Sequence, residues 1–127
     1  MSLWLRLARS PFGRRLVHLV FQHMTFALPV HRLRDTKTLV AFHHPRPSYP
    51  CHILLVPKKP LASLADLTAE DSEFLVELFQ AVQSLVSEFG LEKSGYRLIA
   101  NGGSFQDVAH LHFHLISEAP PVVTAAG

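Results

Sequence analysis

Residues 110–116, HLHFHLI, place a histidine at every second position: His110, His112 and His114. Side chains alternate between the two faces of a strand, so we predict that the three imidazoles share one face and that the apolar residues between them face the core. Three neighbouring imidazoles cannot all be protonated cheaply, and each needs a hydrogen-bond partner if it is buried. Such a row of histidines therefore indicates a chemical use.

Two kinds of chemistry use such a row. Alternate histidines on a strand can ligate zinc, with His43, His44 or His52 as further ligands. Alternatively, a neutral imidazole held by a hydrogen bond at one nitrogen can attack phosphorus with the other nitrogen, while a charged neighbour assists the leaving group. A purely structural row is the third interpretation, and the spacing alone leaves all three open.

The elements that would position these histidines are short strands and one long helix. Strand patterns cover residues 29–34 and 37–43, with a turn at Asp35–Thr36, and the later segments CHILLVPKK, YRLIANGG and AHLHFHLI. Pro57 should end the third strand. Before it, HPRPSYPC carries three prolines in six residues and predicts a stiff loop, which is a good place to hold a ligand.

The long helix lies within LTAEDSEFLVELFQAVQSLVSEFGLEKSGY. Thr68 is its expected N-cap, Asp71 completes a capping-box-like pair, and Gly90 suits the left-handed position after the last turn. Its predicted buried face is Phe74, Leu75, Leu78, Val82, Leu85, Val86 and Phe89. Strands and helices do not alternate as a parallel sheet requires, so we predict an α+β fold with an antiparallel five-stranded sheet and one long helix.

The first 28 residues predict an extra, basic amphipathic helix that precedes the domain of residues 29–118. Residues 1–34 hold six arginines and no acid, a charge of +6, whereas the remainder has six basic and ten acidic residues, a charge of −4. This helix could lie on an anionic membrane surface, target an organelle, or pack on the domain or a partner subunit.

Length and composition restrict the class of protein. A chain of 127 residues with 48% hydrophobic residues suffices for one domain, and residues 119–127 predict a flexible tail. Cys51 is the only cysteine, which excludes an intrachain disulfide and a four-cysteine zinc site. The basic segment lacks lysine runs and interleaved aromatics, so we expect no nucleic-acid binding. We expect a cytoplasmic protein.

Two longer stretches resemble the histidine-triad (HIT) family. NGGSFQDVAHLHFHLI resembles the family signature, in which an Asn and a Gln precede His-x-His-x-His and two apolar residues follow. LVAFHHPRPSYPCHILLVPKKPLASLADLTAED resembles the family's earlier half, and the similarity extends over residues 37–117. The resemblance implies a Hint-like nucleotide phosphoramidase or hydrolase, which transfers a nucleotidyl group to water through a covalent phosphohistidine.

The resemblance also implies roles for single residues. His112 matches the family nucleophile, and His110 and His114 match the flanking histidines that orient it and shape protonation at the phosphate. Asn101 and Gln106 would contact the phosphate or the departing atom through their amides. The third histidine favours a hydrolase over the related transferases, which generally have glutamine there.

The other candidate substrate-binding residues are His43, His44, His52 and Asp107. His52 matches a supporting histidine near the triad. His44 stands where the family places an acid that grips the ribose hydroxyls, and a histidine cannot reproduce a two-oxygen clamp. Asp107 stands where a small hydroxyl residue is common, and its carboxylate would repel a phosphate unless it points outward or pairs with a histidine. We therefore expect weak or altered activity towards ordinary adenosine nucleotides.

The resemblance further implies a homodimer with a continuous sheet, formed through the long helix and the strand that follows it. We expect a nucleotide-like substrate, and the covalent step requires no metal or organic cofactor. The alternative function is a non-catalytic nucleotide- or metal-binding HIT-like module, localised at a membrane surface by residues 1–28. His44 and Asp107 are the features that favour this alternative.

Overall fold

Residues 31–122 are described by the computed structural model of the chain. The predicted helix of residues 1–28 and the last five residues of the predicted tail lie outside this range. Within it, the strands are β1 (Arg32–Asp35), β2 (Leu39–His43), β3 (Cys51–Pro57), β4 (Arg97–Ala100) and β5 (Phe113–Ser117). The α-helices are α1 (Ser72–Glu88) and the short α2 (Leu91–Ser94). No helix in this part of the chain is long and apolar enough to cross a membrane.

The five strands form one sheet in the order β1-β2-β3-β5-β4, and every neighbouring pair is antiparallel. The predicted α+β fold with one long helix is therefore confirmed. β3 ends at Pro57 as expected, since proline cannot donate to the ladder. The order also inserts β5 between β3 and β4, so the histidine-bearing strand lies inside the sheet rather than at its edge.

One face of the sheet packs against α1. Its side chains come from the odd-numbered positions of β2, β3 and β5: Leu39, Ala41, Cys51, Ile53, Leu55, Phe113 and Leu115. The predicted buried face of α1 covers them, with Ala81 added and Leu75 only partly buried. Burying one such Leu or Ile side chain contributes ~1.5–3 kcal/mol, so this layer supplies most of the driving force for folding.

The even-numbered positions of the same strands point to the opposite face, because side chains alternate along a strand. Val40, Phe42, Leu54 and Val56 form a second buried apolar cluster there. His52 in β3 and His114 in β5 share this parity. The alternation that builds the core against α1 thus also brings histidines together on the other side of the sheet.

The start and the end of α1 follow the predicted signals. The Thr68 backbone N–H donates to Asp71 Oδ2 at 3.0 Å, and the Glu70 backbone N–H donates to Thr68 Oγ1 at 3.2 Å. This capping pair closes a 3₁₀ turn at Ala69–Asp71, which leads directly into α1. Gly90 adopts the left-handed conformation, with φ of 63°, as expected after the last turn.

The prediction that all three motif histidines lie on a strand was wrong. β5 begins at Phe113, and residues 110–112 approach the sheet as an irregular segment. The Leu111 backbone N–H donates to the Leu61 carbonyl oxygen of the loop before α1, at 2.7 Å, instead of to a neighbouring strand. His110 consequently does not share the exposed face and is fully buried.

Candidate active site

Four histidine rings form a connected group on the face of the sheet opposite α1. We call His44, His52, His112 and His114 the imidazole cluster. The ring centroids lie 4.4 Å apart for His44 and His52, 5.1 Å for His52 and His114, and 4.9 Å for His112 and His114. Two of these residues flank strands and two lie within them, so the sheet fixes their spacing.

A directed hydrogen-bond chain fixes the protonation of His52 and His114. The Ser48 backbone N–H donates to His52 Nδ1 at 3.0 Å, so that nitrogen carries no proton in the neutral ring. His52 Nε2 therefore carries the proton and donates it to His114 Nδ1, 2.8 Å away. It follows that the neutral His114 ring carries its proton on Nε2 and presents a hydrogen-bond donor there.

His112 has the opposite arrangement. Its Nδ1 lies 2.7 Å from the carbonyl oxygen of His110, which can only accept, so Nδ1 carries the proton. The lone pair of the neutral ring is then on Nε2. His112 is partly rather than fully buried. A neutral imidazole held at Nδ1 with its lone pair on Nε2 is the arrangement that a nucleophilic histidine requires.

His110 acts through its backbone as well as its ring. The ring is fully buried, and its Nε2 lies 3.4 Å from the carbonyl oxygen of Pro57 at the end of β3. This contact ties the segment before β5 to the neighbouring strand. The His110 carbonyl, which orients His112, is held in place by the same segment. His110 thus contacts the backbone at the end of β3 through its ring and His112 through its carbonyl oxygen.

Burial keeps the cluster uncharged. Burial, together with the smaller effects of the neighbouring His112, His52 and His44, lowers the pKa of His114 from 6.5 to about 3. Burial, with smaller contributions from His52 and His112, likewise lowers the pKa of His44 from 6.5 to about 4. The pKa of His52 is lowered by burial. Burial also lowers the pKa of His112, against the opposing effects of the His110 carbonyl and the Asp107 carboxylate.

These pKa shifts predict a loss of stability in mild acid. Below pH 6.5 these histidines bind protons in the unfolded chain but stay neutral in the folded cluster, because their pKa values are lower there. The free energy of unfolding should therefore fall as the pH drops from about 6.5 towards 4. Urea midpoints at pH 7.5, 6 and 5 measure this, and His44→Asn should flatten the dependence. An unchanged midpoint between pH 7.5 and 5 would contradict the assignment. Three carboxyl groups with lowered pKa, Asp35, Asp71 and Glu77, lose their stabilising contribution only near and below their ordinary values of 3.8, 3.8 and 4.5, so the midpoints at pH 7.5, 6 and 5 report mainly the histidines.

A cavity of about 280 Å³ opens beside the cluster. Its lining comes from the proline-rich loop, β3, β4 and β5: Ser48, Tyr49, His52, Ile99, Asn101, His114 and Ile116. Asn101 follows β4 and lines the same cavity as His114. His114 lines this cavity, whereas His112 is not among the described residues that line it.

The other two loop residues behave differently from Asn101. The side-chain amide of Gln106 donates to the carbonyl oxygens of Ala62, at 2.7 Å, and Val108, at 2.9 Å. Both N–H bonds are therefore engaged, and Gln106 holds the loop against the chain before α1 while only its oxygen remains for a ligand. Asp107 is partly buried, and its negative charge acts on His112 by raising the pKa of that ring.

His43 and His44, adjacent in sequence, lie on opposite faces. The exposed His43 ring lies 5.9 Å from that of Phe89, on the α1 side, so the structure does not bring it to the imidazole cluster. His44 Nδ1 accepts from the Arg46 backbone N–H at 2.9 Å, so its proton is on Nε2. His44 therefore offers the site one donor where a carboxylate would offer two acceptors.

Sequence reasoning missed the groups that hold and surround the histidines. Ser48 and Tyr49 lie in a loop whose stiffness was predicted but whose individual residues carried no signal. Ile99 and Ile116 line the cavity, but in the sequence they are indistinguishable from other apolar strand residues. Within residues 31–122, no three His, Cys, Asp or Glu side chains are grouped so that they could hold a metal ion.

The fold and the site define a class of protein: an antiparallel α+β domain with a histidine cluster built around His-x-His-x-His. The model of the HIT domain family matches residues 26–120. A HIT-like protein of Chlamydia pneumoniae is 34% identical over 88 residues, which is 68% of this chain and 79% of that protein. An uncharacterized HIT-like protein of Synechococcus elongatus is 36% identical over 91 residues, 70% of this chain and 79% of that protein. The chain belongs to the HIT family.

Solved structures agree with this assignment. A HIT family hydrolase from Legionella pneumophila superposes with a TM-score of 0.69 at 34% identity, over 80% of this chain and 90% of that chain. A histidine triad protein from Clostridium difficile gives a TM-score of 0.71 at 30% identity, over 77% of this chain and 88% of that chain. The resemblance and the fold predicted from the sequence are confirmed, and a hydrolase-type role in general is supported.

Proposed function

We propose that the protein hydrolyses a nucleoside phosphoramidate, or a related nucleotide phosphoanhydride, through a covalent nucleotidyl-histidine at His112. The hydrogen bond from His112 Nδ1 to the His110 carbonyl carries this proposal. It places the lone pair on Nε2, and burial holds the pKa of the ring below its usual value. The ring is therefore neutral, and able to attack phosphorus, at neutral pH.

The reaction has two steps. In the first, His112 Nε2 forms a bond to phosphorus, the bond from phosphorus to the leaving nitrogen breaks, and the amine departs with one proton taken from solvent. In the second, water attacks phosphorus, the bond to Nε2 breaks, and one proton returns to solvent as the nucleotide leaves. His112 ends the cycle as the neutral ring from which it started.

His114 and Asn101 supply donors to the reacting group. His114 is fixed as the tautomer with a proton on Nε2, so it can donate to the leaving nitrogen without first being charged. Asn101 lines the same cavity as His114 and adds an amide. Donors aimed at charge that develops during reaction are often the largest contribution to catalysis.

Asp107 and His44 shape the substrate preference. The Asp107 carboxylate, which acts on His112, opposes a dianionic phosphoryl group and is better suited to a phosphorus centre with a single negative charge. This favours diesters and phosphoramidates of nucleotides over terminal phosphates. His44 offers one donor, which favours weaker selection for a ribose diol.

We also propose that the protein is a homodimer. In the described part of the chain, β4 pairs only with β5, so its other edge is open for strand pairing. On α1, Val76 and Phe79 are each 57% exposed and lie three residues apart, on one side of the helix. Pairing through these elements would cover apolar side chains and an unpaired strand edge together.

Trapping the covalent intermediate tests the proposed function. Wild type and His112→Ala are incubated with an adenosine phosphoramidate labelled on phosphorus, quenched in alkali, and examined for acid-labile label on the protein. Label on wild type alone, with product formed by wild type alone, is the expected result. Product formed equally by both proteins would remove His112 as the nucleophile. Nucleotide binding without label or product would favour the non-catalytic binding module.

A further inference from the structure

The proline-rich loop places an arginine beside the imidazole cluster. Arg46 stands between Pro45 and Pro47, and its backbone N–H donates to His44 Nδ1 at 2.9 Å. Proline fixes its own φ and restricts the residue before it to extended conformations, so the backbone around Arg46 has few alternatives. The Arg46 side chain therefore starts next to the His44 ring, at a position that the loop defines.

The Arg46 guanidinium is unpaired. The residue is exposed, and in the described part of the chain its side chain makes no ion pair and no hydrogen bond. Arg32 and Arg34, by contrast, are held by Asp35 at 2.7 Å and by Glu88 at 2.8 Å. A guanidinium stays charged at any physiological pH. Arg46 therefore presents a permanent positive charge, and rotation of its side chain towards a ligand breaks no existing contact.

His44 adds a hydrogen-bond donor to this part of the site. Its Nδ1 is occupied, so its proton is on Nε2, and its ring centroid lies 4.4 Å from that of His52. Besides burial, His52 and His112 lower the pKa of His44. No carboxylate in the described chain raises this pKa, and the Asp107 charge acts on His112 instead. The side chains of His44 and Arg46 therefore offer donors and a positive charge, but no acceptor and no negative charge.

We infer that His44 and Arg46 bind a second phosphate group, which the sugar of the nucleotide carries at its 2′ or 3′ position. The inference rests on the proposed function, in which His44 meets the sugar, and adds the chemical class of that half of the substrate. A pair of free hydroxyls gains little from these side chains, because they offer no acceptor for its protons. A phosphate group presents several acceptor oxygens and matches the fork of a guanidinium, so its hydrogen bonds there are charge-assisted. Dinucleotide-binding domains use the same chemistry, since an acid there binds a ribose hydroxyl and an arginine accommodates a 2′-phosphate.

Binding of three isomeric nucleotides tests this inference without any turnover. Adenosine 2′,5′-bisphosphate and adenosine 3′,5′-bisphosphate carry the second phosphate on the sugar, whereas adenosine 5′-diphosphate carries it in a chain. Titration calorimetry at pH 7.5 should give wild type a Kd for one of the bisphosphates that is about tenfold or more below the Kd for the diphosphate, because only the sugar phosphate meets the guanidinium.

Two variants locate the effect. Arg46→Gln removes the charge of an exposed side chain without contacts, so the protein should fold, and it should bring the two Kd values to within about twofold of each other. Lys93→Gln is the matched control, because Lys93 is an exposed cation in α2 and should leave the ratio of Kd values unchanged. His44→Asp should reverse the preference, since its carboxylate repels a sugar phosphate.

Hydrolysis of adenosine 5′-phosphoramidate, with and without a phosphate on the sugar, separates the two proposals. If neither substrate is hydrolysed but a bisphosphate binds through Arg46, the proposed function fails and the phosphate site stands. If both are hydrolysed at equal kcat/KM, and wild type and Arg46→Gln bind the three nucleotides alike, the phosphate site is wrong. If the diphosphate loses as much affinity as the bisphosphates in Arg46→Gln, the guanidinium meets a phosphate chain, and the assignment to the sugar is overturned.

Discussion

Replacing His112 with alanine is expected to lower kcat/KM for a nucleoside phosphoramidate by about 10⁴-fold or more. The physical reason is the placement of lone pairs in the imidazole cluster. The acceptor nitrogens of His44, His52 and His114 are each occupied by a hydrogen bond from the protein. None of them can replace the Nε2 lone pair that the His110 carbonyl secures on His112.

The measurement is release of nucleotide at saturating and limiting substrate, with thermal unfolding followed in parallel. His43→Ala is the matched control. It also removes a histidine, the one that precedes His44 in sequence, but the His43 ring lies near Phe89 on the α1 side of the sheet. Its activity should stay within about twofold of wild type, as is usual for a surface change away from the site. A folded His112→Ala protein with activity within tenfold of wild type would disprove nucleophilic catalysis by this residue.

Replacing His114 with alanine is expected to slow turnover by ~10²–10³-fold, the usual effect of removing one donor aimed at developing charge. The loss should depend on the leaving group. An alkylamine needs the His114 Nε2–H strongly as it departs, whereas a nitrophenolate carries its negative charge without help. The two substrates should therefore lose different amounts of activity in the same variant.

Rates for an alkyl phosphoramidate and a nitrophenyl ester of the same nucleotide measure this difference. The nitrophenyl ester should lose no more than about tenfold, so that the ratio of the two rates changes by at least tenfold. An equal loss for both substrates would show that His114 supports the structure of the cluster and does not act on the leaving atom. The comparison uses one protein, so altered folding cannot produce the expected ratio.

Much of the fold could be predicted because local signals and packing agree. The capping pair at Thr68 and Asp71, the left-handed Gly90 and the apolar stripe of α1 each depend on neighbours within a few residues. In β3, likewise, the position of a residue in the strand predicts which face of the sheet its side chain lies on, because successive side chains alternate between the two faces. What the sequence could not give was the strand order, since the insertion of β5 between β3 and β4 depends on contacts far apart in the chain.

The site was less predictable than the fold. Residue types and spacing identified the histidines as candidate site residues. The alternating motif also predicted that the His110 side chain lies on the same strand face as His112 and His114. That prediction was wrong, because long-range contacts hold the His110 segment away from β5. Its segment bonds to Leu61 and Pro57 instead of continuing β5. The proton positions also could not be read from the sequence, because they depend on a backbone N–H at Ser48 and on a carbonyl at His110.

Gln106 illustrates how a motif residue can act indirectly. The resemblance implied an amide directed at the phosphate, whereas the structure commits both of its N–H bonds to the carbonyl oxygens of Ala62 and Val108. The loop that carries Asp107 is thereby anchored to the chain before α1. We therefore expect Gln106 to set the position of the Asp107 charge relative to His112, and to offer a ligand only its carbonyl oxygen.

The division of β2, β3 and β5 into odd-numbered core positions and even-numbered histidine-face positions has an evolutionary consequence. Loss or gain of a single residue within β3 would exchange the two sets, directing His52 into the layer beneath α1 and Ile53 out of it. Single substitutions can change such a site gradually. An insertion or deletion within the strand would instead disrupt the hydrophobic core and the histidine cluster together. Length variation among related chains should therefore be confined to the connections, such as the segment between Asn101 and His110.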